Sequence, residues 1–393
     1  MATAKVAVLR TRPQTVLDDV GALMRSIDYA AHLPRDRDTA LKINISWGVF
    51  YPACSTTPWQ LEGVIRTLLA DGYQRDLIHA CHNDTVVVSA RKGERRNKQL
   101  PVVQKYGLRN VHLYEEKDWL VYEPRGEYLV LDKVFRDGVR IPRRLIGENI
   151  IHLPTMKTHV FTTITGAMKN AFGGLLHRQR HWTHSVIHET LVDLLMIQKE
   201  IHPGILAVTD GHVIGSGPGP RCMQIRPGGY LLASADQVAV DAVAAKMMGF
   251  DPLELRFIRL AHEKGLGVGD VKDIEIVGEN IEAVDLGCAE GSTFASRGQH
   301  ALYHGIFKPL ERLLTHTPLV VSTYVASWAY HDWYWYPMIG RHRVAEYMRS
   351  GWGELFRSYP EADDAEVLAA APVEVPPAGG PRPSVPGSGE GAH

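Results

Sequence analysis

Lys157, His159, Lys169 and Asn170 fall within one short stretch, Ile150 to Gly174, that closes on two glycines. Two ammonium groups and an imidazole this close along a chain suit an anion, or a ligand held through a metal. Lysines hold carboxylates and phosphates by charge-assisted hydrogen bonds, which are strongest where water is excluded. The imidazole of His159 titrates near neutrality and suits proton transfer or metal ligation. The plain alternative is a pair of surface lysines and a histidine packed on a strand. Gly166, Gly173 and Gly174 weigh against it, because they imply close backbone approach nearby.

A second series follows at once. His177, His181, His184 and His188 are spaced four, three and four residues apart. On one helix they would share a face and could bind a divalent metal. The bland reading is a polar rim with incidental histidines. Arg178 and Arg180 lie among them, and a cleft that they share with the lysines would select anions. Asp210 ends an apolar run, where a carboxylate orients a histidine, ligates a metal or caps a turn. The expected metal set is therefore His159, His177, His184 and Asp210, with iron, zinc, manganese or nickel as the ion. Lys157, His159, Lys169 and His184 are the expected catalytic residues, and Asn170, Arg178 and Arg180 the expected substrate contacts.

Elements must position these groups. Asn149 to Leu153 is an apolar run that reads as a buried strand, and Pro154 ends it ahead of a polar loop carrying Lys157. Active sites of α/β proteins gather at that place, outside the carboxyl end of a strand. Further strands are expected at Lys5–Leu9, Ala40–Ser46, Leu77–Cys81, Thr85–Ser89, Gly204–Val208 and Asp273–Val277. Helical spacing covers Pro13–Ala31, Pro58–Asp71, Ser185–His202 and Ser234–Gly249. Thr56 and Thr57 suit a cap before Pro58, and Gly72 sits where a C-terminal cap belongs. Ser234 with Gln237 reads as a capping box. Strands alternating with helices predict an α/β fold: a mixed, largely parallel sheet covered by helices on both faces, with two lobes around a cleft.

Other segments read as follows. RKGERRNK, Arg91 to Lys98, predicts a solvated loop. GHVIGSGPGP, Gly211 to Pro220, predicts neither helix nor central strand. Asp236 belongs to a helix's first turn, and Asp241 in mid-helix is either exposed or paired toward the site. Cys54 reads as a small buried cysteine. The composition changes near residue 290. An aromatic-rich, mostly helical part follows over 291–360, with helices at Leu302–Leu314 and Arg341–Tyr359, and a disordered tail over 361–393. Tyr324 to Tyr336 holds three tryptophans and four tyrosines, which suit a homodimer interface, a wall of the cleft or membrane-surface contact.

The totals exclude several classes. The chain has 393 residues, is 45% hydrophobic and carries a net charge of -1, so no basic excess favours nucleic acid. Its four cysteines form no CxxC, which argues against an iron–sulfur cluster and for reduced thiols in a cytoplasmic protein. No GxxxxGK[ST] or uninterrupted GxGxxG occurs, so no nucleotide is expected. No apolar run is long enough to cross a membrane.

KINISWG, STTP, LPTMKTH, TGAMKNAFGG, TDGHVIGSGPGP and SADQVAVDAVAAKMMGFDP occur in that order. Together they resemble the domain-of-unknown-function family 362 across about Ala40 to Gly278. The resemblance implies an α/β fold and carries Lys157, His159, Lys169, Asn170, His184 and Asp210 over as site residues. Relatives with an appended ferredoxin-type domain have CxxCxxC runs, and this chain has none. The arrangement of lysine and histidine after strands is similar, as architecture only, to nickel-pincer lactate racemases. The expectation is an enzyme for a small anionic, carboxylate-type substrate, with metal-dependent redox or isomerisation chemistry. A non-catalytic ligand-binding or assembly protein and a peripheral membrane protein are the alternatives.

Overall fold

In the computed structural model the described residues are 4–362 except 85–87, 304, 307, 312–316, 318 and 319. The expected disordered tail lies outside them apart from its first two positions. Twelve strands are present: β1 Ala4–Arg10, β2 Thr39–Ile43, β3 Ile78–His82, β4 Arg109–His112, β5 Trp119–Val121, β6 Arg140–Pro142, β7 Asn149–Leu153, β8 Thr155–His159, β9 Thr163–Ile164, β10 Ile205–Ser216, β11 Gln224–Ser234 and β12 Ile274–Gly278. The main sheet runs β12-β1-β11-β10-β7-β2-β3-β4, with β8 on β10 and β9 on β8. Strands β10, β7, β2, β3 and β4 are mutually parallel, and β11 runs antiparallel to both β1 and β10. The mixed, largely parallel α/β sheet is thus as the sequence implies.

Alternate side chains of each central strand enter opposite cores, which shows that helices cover both faces. Val6, Ala40, Ile150, Ala207 and Leu232 join the core under helices Ile187–Ile201 and Gln237–Met248. Ala7, Leu41, Ile151, Leu206 and Leu231 join the core under helices Val16–Ser26 and Pro58–Ala70. Strands buried on both faces read as apolar runs rather than as alternation. Helix Pro58–Ala70 starts on a full capping box, Thr57 with Gln60, worth about 1 kcal/mol. Gly72 follows its end at φ +87°, the left-handed position that glycine occupies without strain.

Several expectations fail here, each for a local reason. RKGERRNK is not a solvated loop. Ser89 caps a helix, Ala90–Arg96, which buries Glu94 and packs Gly93 against Ile45. Gly211–Ser216 is not a loop but the outer half of β10, central in the sheet. Its glycines let Met156 and Met223 cross where a Cβ would collide. The strand expected at Thr85–Ser89 falls mostly on residues outside the described ones. Ser234 ends β11, and the cap of helix Gln237–Met248 is Asp236, whose carboxylate accepts from Val238 N and Ala239 N. The helix expected at Leu302–Leu314 falls partly on residues outside the described ones; among those described, a helix covers Phe294–Tyr303 and a 3-10 turn Lys308–Leu310.

The aromatic segment forms a helix, Val320–Trp328, that widens into a π-type turn over Ala329–Gly340. Helices Arg341–Tyr347 and Gly351–Ser358 follow. Trp335 and Tyr347 pack with Trp47 and Tyr51, while Phe356 and Tyr359 enter the core under helix Pro58–Ala70.

Candidate functional site

Chain order changes direction between β2 and β7. From β2 the sheet grows outward through β3 to β4, and β7 then returns to the other side of β2. Crevices outside the carboxyl ends of strands at such a switch point are where open α/β sheets bind ligands. Lys42, near the end of β2, lies opposite His152 of β7. Lys42 is 3% exposed, and among the described residues its Nζ donates only to Ile43 O, at 2.7 Å. Burial lowers its pKa to about 8. A Cβ on Gly174 would press on the Lys42 side chain, which explains that glycine.

Lys157 is not on a loop. It belongs to β8, which resumes after Pro154 and pairs with β10, Lys157 opposite Gly215. It is fully buried, and its Nζ donates to Cys54 O at 2.7 Å and Thr155 Oγ1 at 2.9 Å. Burial lowers it to about 8. Lys169 is lowered to about 7, first by burial and then by the charges of Lys157 and Arg180. Arg180 is lowered to about 10 by burial and donates to Asp84 O. Among the described residues no carboxylate forms an ion pair with Lys42, Lys157 or Lys169. Buried cations are ordinarily paired. Asn170 ties the cluster together by donating Nδ2 to Lys42 O at 2.8 Å.

The helix bearing Lys169 and Asn170, Gly166–Asn170, is held from below. Asp241 is paired, as one reading of the sequence had it, but with the backbone: its carboxylate accepts from Ala167 N and Met168 N. Burial pushes that carboxyl up to about 7, against those two hydrogen bonds. Gly166 sits at φ +71°, and a Cβ on it would overlap the Asp241 carboxylate.

His159 and His184 face the same cations. His159 is held well below its ordinary value by burial, then by the charges of Lys169 and His184. Its Nδ1 accepts from Phe161 N at 3.2 Å, so the ring is neutral with its proton on Nε2. His184 is lowered to about 4, chiefly by burial, and its Nδ1 donates to His181 O at 2.8 Å. That bond leaves Nε2 as the basic nitrogen. Phe161 lies between the imidazoles, 5.9 Å from His159 and 5.6 Å from His184. Phe172 likewise lies between His184, at 5.7 Å, and the Lys169 ammonium, at 5.6 Å.

The expected metal set is not assembled. The histidine row is broken, because Arg178–Val186 is a tight 3-10 segment and only His188 enters helix Ile187–Ile201. His177 stacks edge-on against Trp119, 5.0 Å away. The Arg178 side chain lies outside the described residues. Asp210 is fully buried in a different network. It accepts from Thr57 Oγ1 at 2.6 Å and Trp59 Nε1 at 3.1 Å, and pairs with His212 Nδ1 at 2.9 Å. His212 Nε2 in turn meets Tyr347 OH at 2.9 Å. Burial opposes the Asp210 charge, yet His212 and Thr57 hold its pKa below the ordinary range.

Sequence reasoning missed a buried cluster at the ends of β3 and β4. His82 and His112 both aim Nε2 at Glu94, at 2.6 and 3.2 Å. Among the described residues this is the group of three histidine, cysteine or acidic residues whose donor atoms lie within 4.8 Å of one another. Two cavities of about 320 and 370 Å³ lie elsewhere, one beside Glu62 and Tyr359, the other beside Gly217 and Trp335.

The family model described as "Domain of unknown function (DUF362)" matches residues 39–246, more than half of the chain. The chain belongs to this family. It is also similar to a thylakoid-associated protein of Synechocystis sp., 27% identical over 186 residues, which are 45% of this chain and 53% of the relative. The match therefore spans about half the length of that relative. No solved structure matches. Among the described residues no helix is long and apolar enough to cross a membrane.

Proposed function

We propose that this member of the family is an enzyme acting on a small anionic substrate, a carboxylate, by proton transfer at the adjacent sp3 carbon. The observation that carries this reading is the grouping of the buried Lys42, Lys157 and Arg180 with the half-buried Lys169 at the switch point of the sheet. There, among the described residues, no carboxylate forms an ion pair with the three lysines and only the charge of Asp84 acts on Arg180. An anion supplies the charge that these groups lack. Lys157 and Arg180 hold it, and Asn170 Oδ1 is free to orient a hydroxyl. Lys169, lowered to about 7, is half deprotonated near neutral pH, the condition that suits a general base. His184 Nε2 is the second proton-transfer group. The pair fits isomerisation directly, and redox chemistry when an acceptor takes the electrons.

Exchange with solvent tests it. Wild type incubated in D₂O with 2-hydroxycarboxylates is expected to wash deuterium into C2, the position beside the carboxylate, followed by NMR. Lys169→Met should lower that rate by at least about 100-fold, the usual contribution of a general base. Exchange that persists in Lys169→Met, or a panel in which no carboxylate exchanges or raises the melting temperature, rejects the reading.

A second reading rests on the aromatic part. Trp333, Tyr334 and Met338 are 64%, 57% and 62% exposed, and the Trp328 ring lies tilted against Trp333 at 4.5 Å. Such side chains favour the interfacial zone of a bilayer, and one relative is named for its association with thylakoids. Co-sedimentation with lipid vesicles is expected to fall at least twofold in Trp333→Ala. Wild type that stays in the supernatant with both neutral and anionic vesicles excludes it.

A further inference from the structure

We infer that His82, Glu94 and His112 form a binding site for one divalent first-row transition ion, with zinc the default occupant. The inference stands apart from the anion-site reading and shares no residue with it.

Three separate elements deliver the donors. His82 is the last residue of β3 and His112 the last of β4, register partners on adjacent parallel strands. Glu94 comes from helix Ala90–Arg96, which crosses the same end of the sheet. All three are buried, at 1%, 2% and 7% exposure. The two rings stand nearly perpendicular, 87° apart with centroids at 4.5 Å, so their Nε2 atoms converge on the carboxylate rather than stack. The His112–Glu94 separations of 3.2 and 3.3 Å match the edge, about 3.3–3.4 Å, of a tetrahedron with bonds of about 2.0–2.1 Å, and the 2.6 Å between His82 and Glu94 has to lengthen by about 0.7 Å to reach it. A cation therefore enters with sub-ångström adjustment of the donors.

Two imidazoles and one carboxylate are the ligand set of catalytic rather than structural ions, because they leave coordination positions open. A purely structural hydrogen-bond hub fits less well. His82 Nδ1 is buried without a hydrogen-bond partner, so the cluster is incomplete as hydrogen-bonded. Asn110 supports the carboxylate from outside, donating Nδ2 to Glu94 Oε2 at 2.9 Å, as outer partners of ligating carboxylates do. Ligation through Nε2 takes the neutral ring with its proton on Nδ1, so protons compete with the cation and binding weakens as pH falls.

The test uses the untagged full chain, loaded with Zn²⁺, dialysed into metal-free buffer and analysed for bound metal. Wild type is expected to retain about one zinc per chain, and Glu94→Gln and His112→Gln less than about a tenth of that. His184→Gln is expected to retain the full amount, which separates this site from the anion site. Circular dichroism confirms that the variants fold. Should they not fold, Co²⁺ added to wild type decides the matter: visible bands of a four- or five-coordinate nitrogen/oxygen site support the inference. Wild type that keeps no zinc and gives no such bands overturns it, as does retention unchanged in both variants.

Discussion

Replacing Lys157 by methionine is expected to make the protein more stable at pH 7, by about 1–2 kcal/mol, while abolishing its response to carboxylates. Burial lowers this amine from 10.5 to about 8. That lowering corresponds to roughly 3 kcal/mol borne by the folded state while the group is charged. Methionine keeps the length of the side chain and removes the charge. It also leaves Cys54 O and Thr155 Oγ1 without a donor, at a cost of about 1–2 kcal/mol. Cys54 O still accepts from Asn44 Nδ2 at 3.3 Å, which keeps that cost at the lower end.

The gain must depend on pH in one direction. Below about 8 the lysine is protonated in both the folded and unfolded chains, and the folded state bears the whole cost. Between about 8 and 10.5 the folded amine is already neutral while the unfolded one is charged, so wild type recovers stability as pH rises. The advantage of Lys157→Met should therefore shrink from pH 7 to pH 10 in urea titrations. A variant less stable than wild type at pH 7, or an advantage that grows with pH, would show that Lys157 has a stabilising partner in the folded chain.

Gly166→Ala is expected to cost about 3 kcal/mol or more and to remove carboxylate binding with it. Two penalties add. Alanine at φ +71° is strained, and its Cβ would overlap the Asp241 carboxylate. Displacing Asp241 also strips Ala167 N and Met168 N of their acceptor inside a buried helix start. The next turn carries Lys169 and Asn170, so the damage reaches the site. Thermal melts of Gly166→Ala and of Gly166→Ala with Asp241→Ala separate the two penalties. The second change relieves the overlap and leaves the strain, so it should not restore wild-type stability. A single variant within about 0.5 kcal/mol of wild type would refute the account.

This pair also explains two of the sequence signatures. TGAMKN and QVAVDAVAA lie far apart along the chain, yet the glycine of one closes on the aspartate of the other. Their joint presence marks a packing contact behind the cationic cluster, not two separate ligand contacts.

Much of the scaffold was legible because central strands and capped helices leave strong local patterns. Thr57 ahead of Pro58, Gly72 after helix Pro58–Ala70, and the apolar run of β7 are of that kind. LPTMKTH was misread because Pro154 interrupts the run and β8 is buried despite its polar residues. β8 pairs with β10 beyond the end of β7, a tertiary fact without local trace. GHVIGSGPGP looked like a loop because its glycines serve close packing rather than turning.

The site was legible only in part. Lys157, Lys169, His159 and His184 were visible because one short stretch holds most of them. Lys42 lies far from that stretch along the chain, and His82 and His112, 30 residues apart, are joined only by the parallel register of β3 and β4. Glu94 was further concealed inside a basic run that reads as solvent-facing. Asp210 reads in the sequence as a carboxylate at a strand's end that orients a histidine, whereas it lies within β10 and the histidine it meets is His212, two residues on.

The Asp210 network ties the C-terminal part to the segment that the family model matches. The region shared with other members ends at residue 246, but the chain of contacts from Thr57 through Asp210 and His212 terminates on the Tyr347 hydroxyl. In this chain the extension thus seals an imidazole carried by the matched segment: His212 is 3% exposed, with its Nε2 on the Tyr347 hydroxyl and its ring 4.8 Å from Trp352.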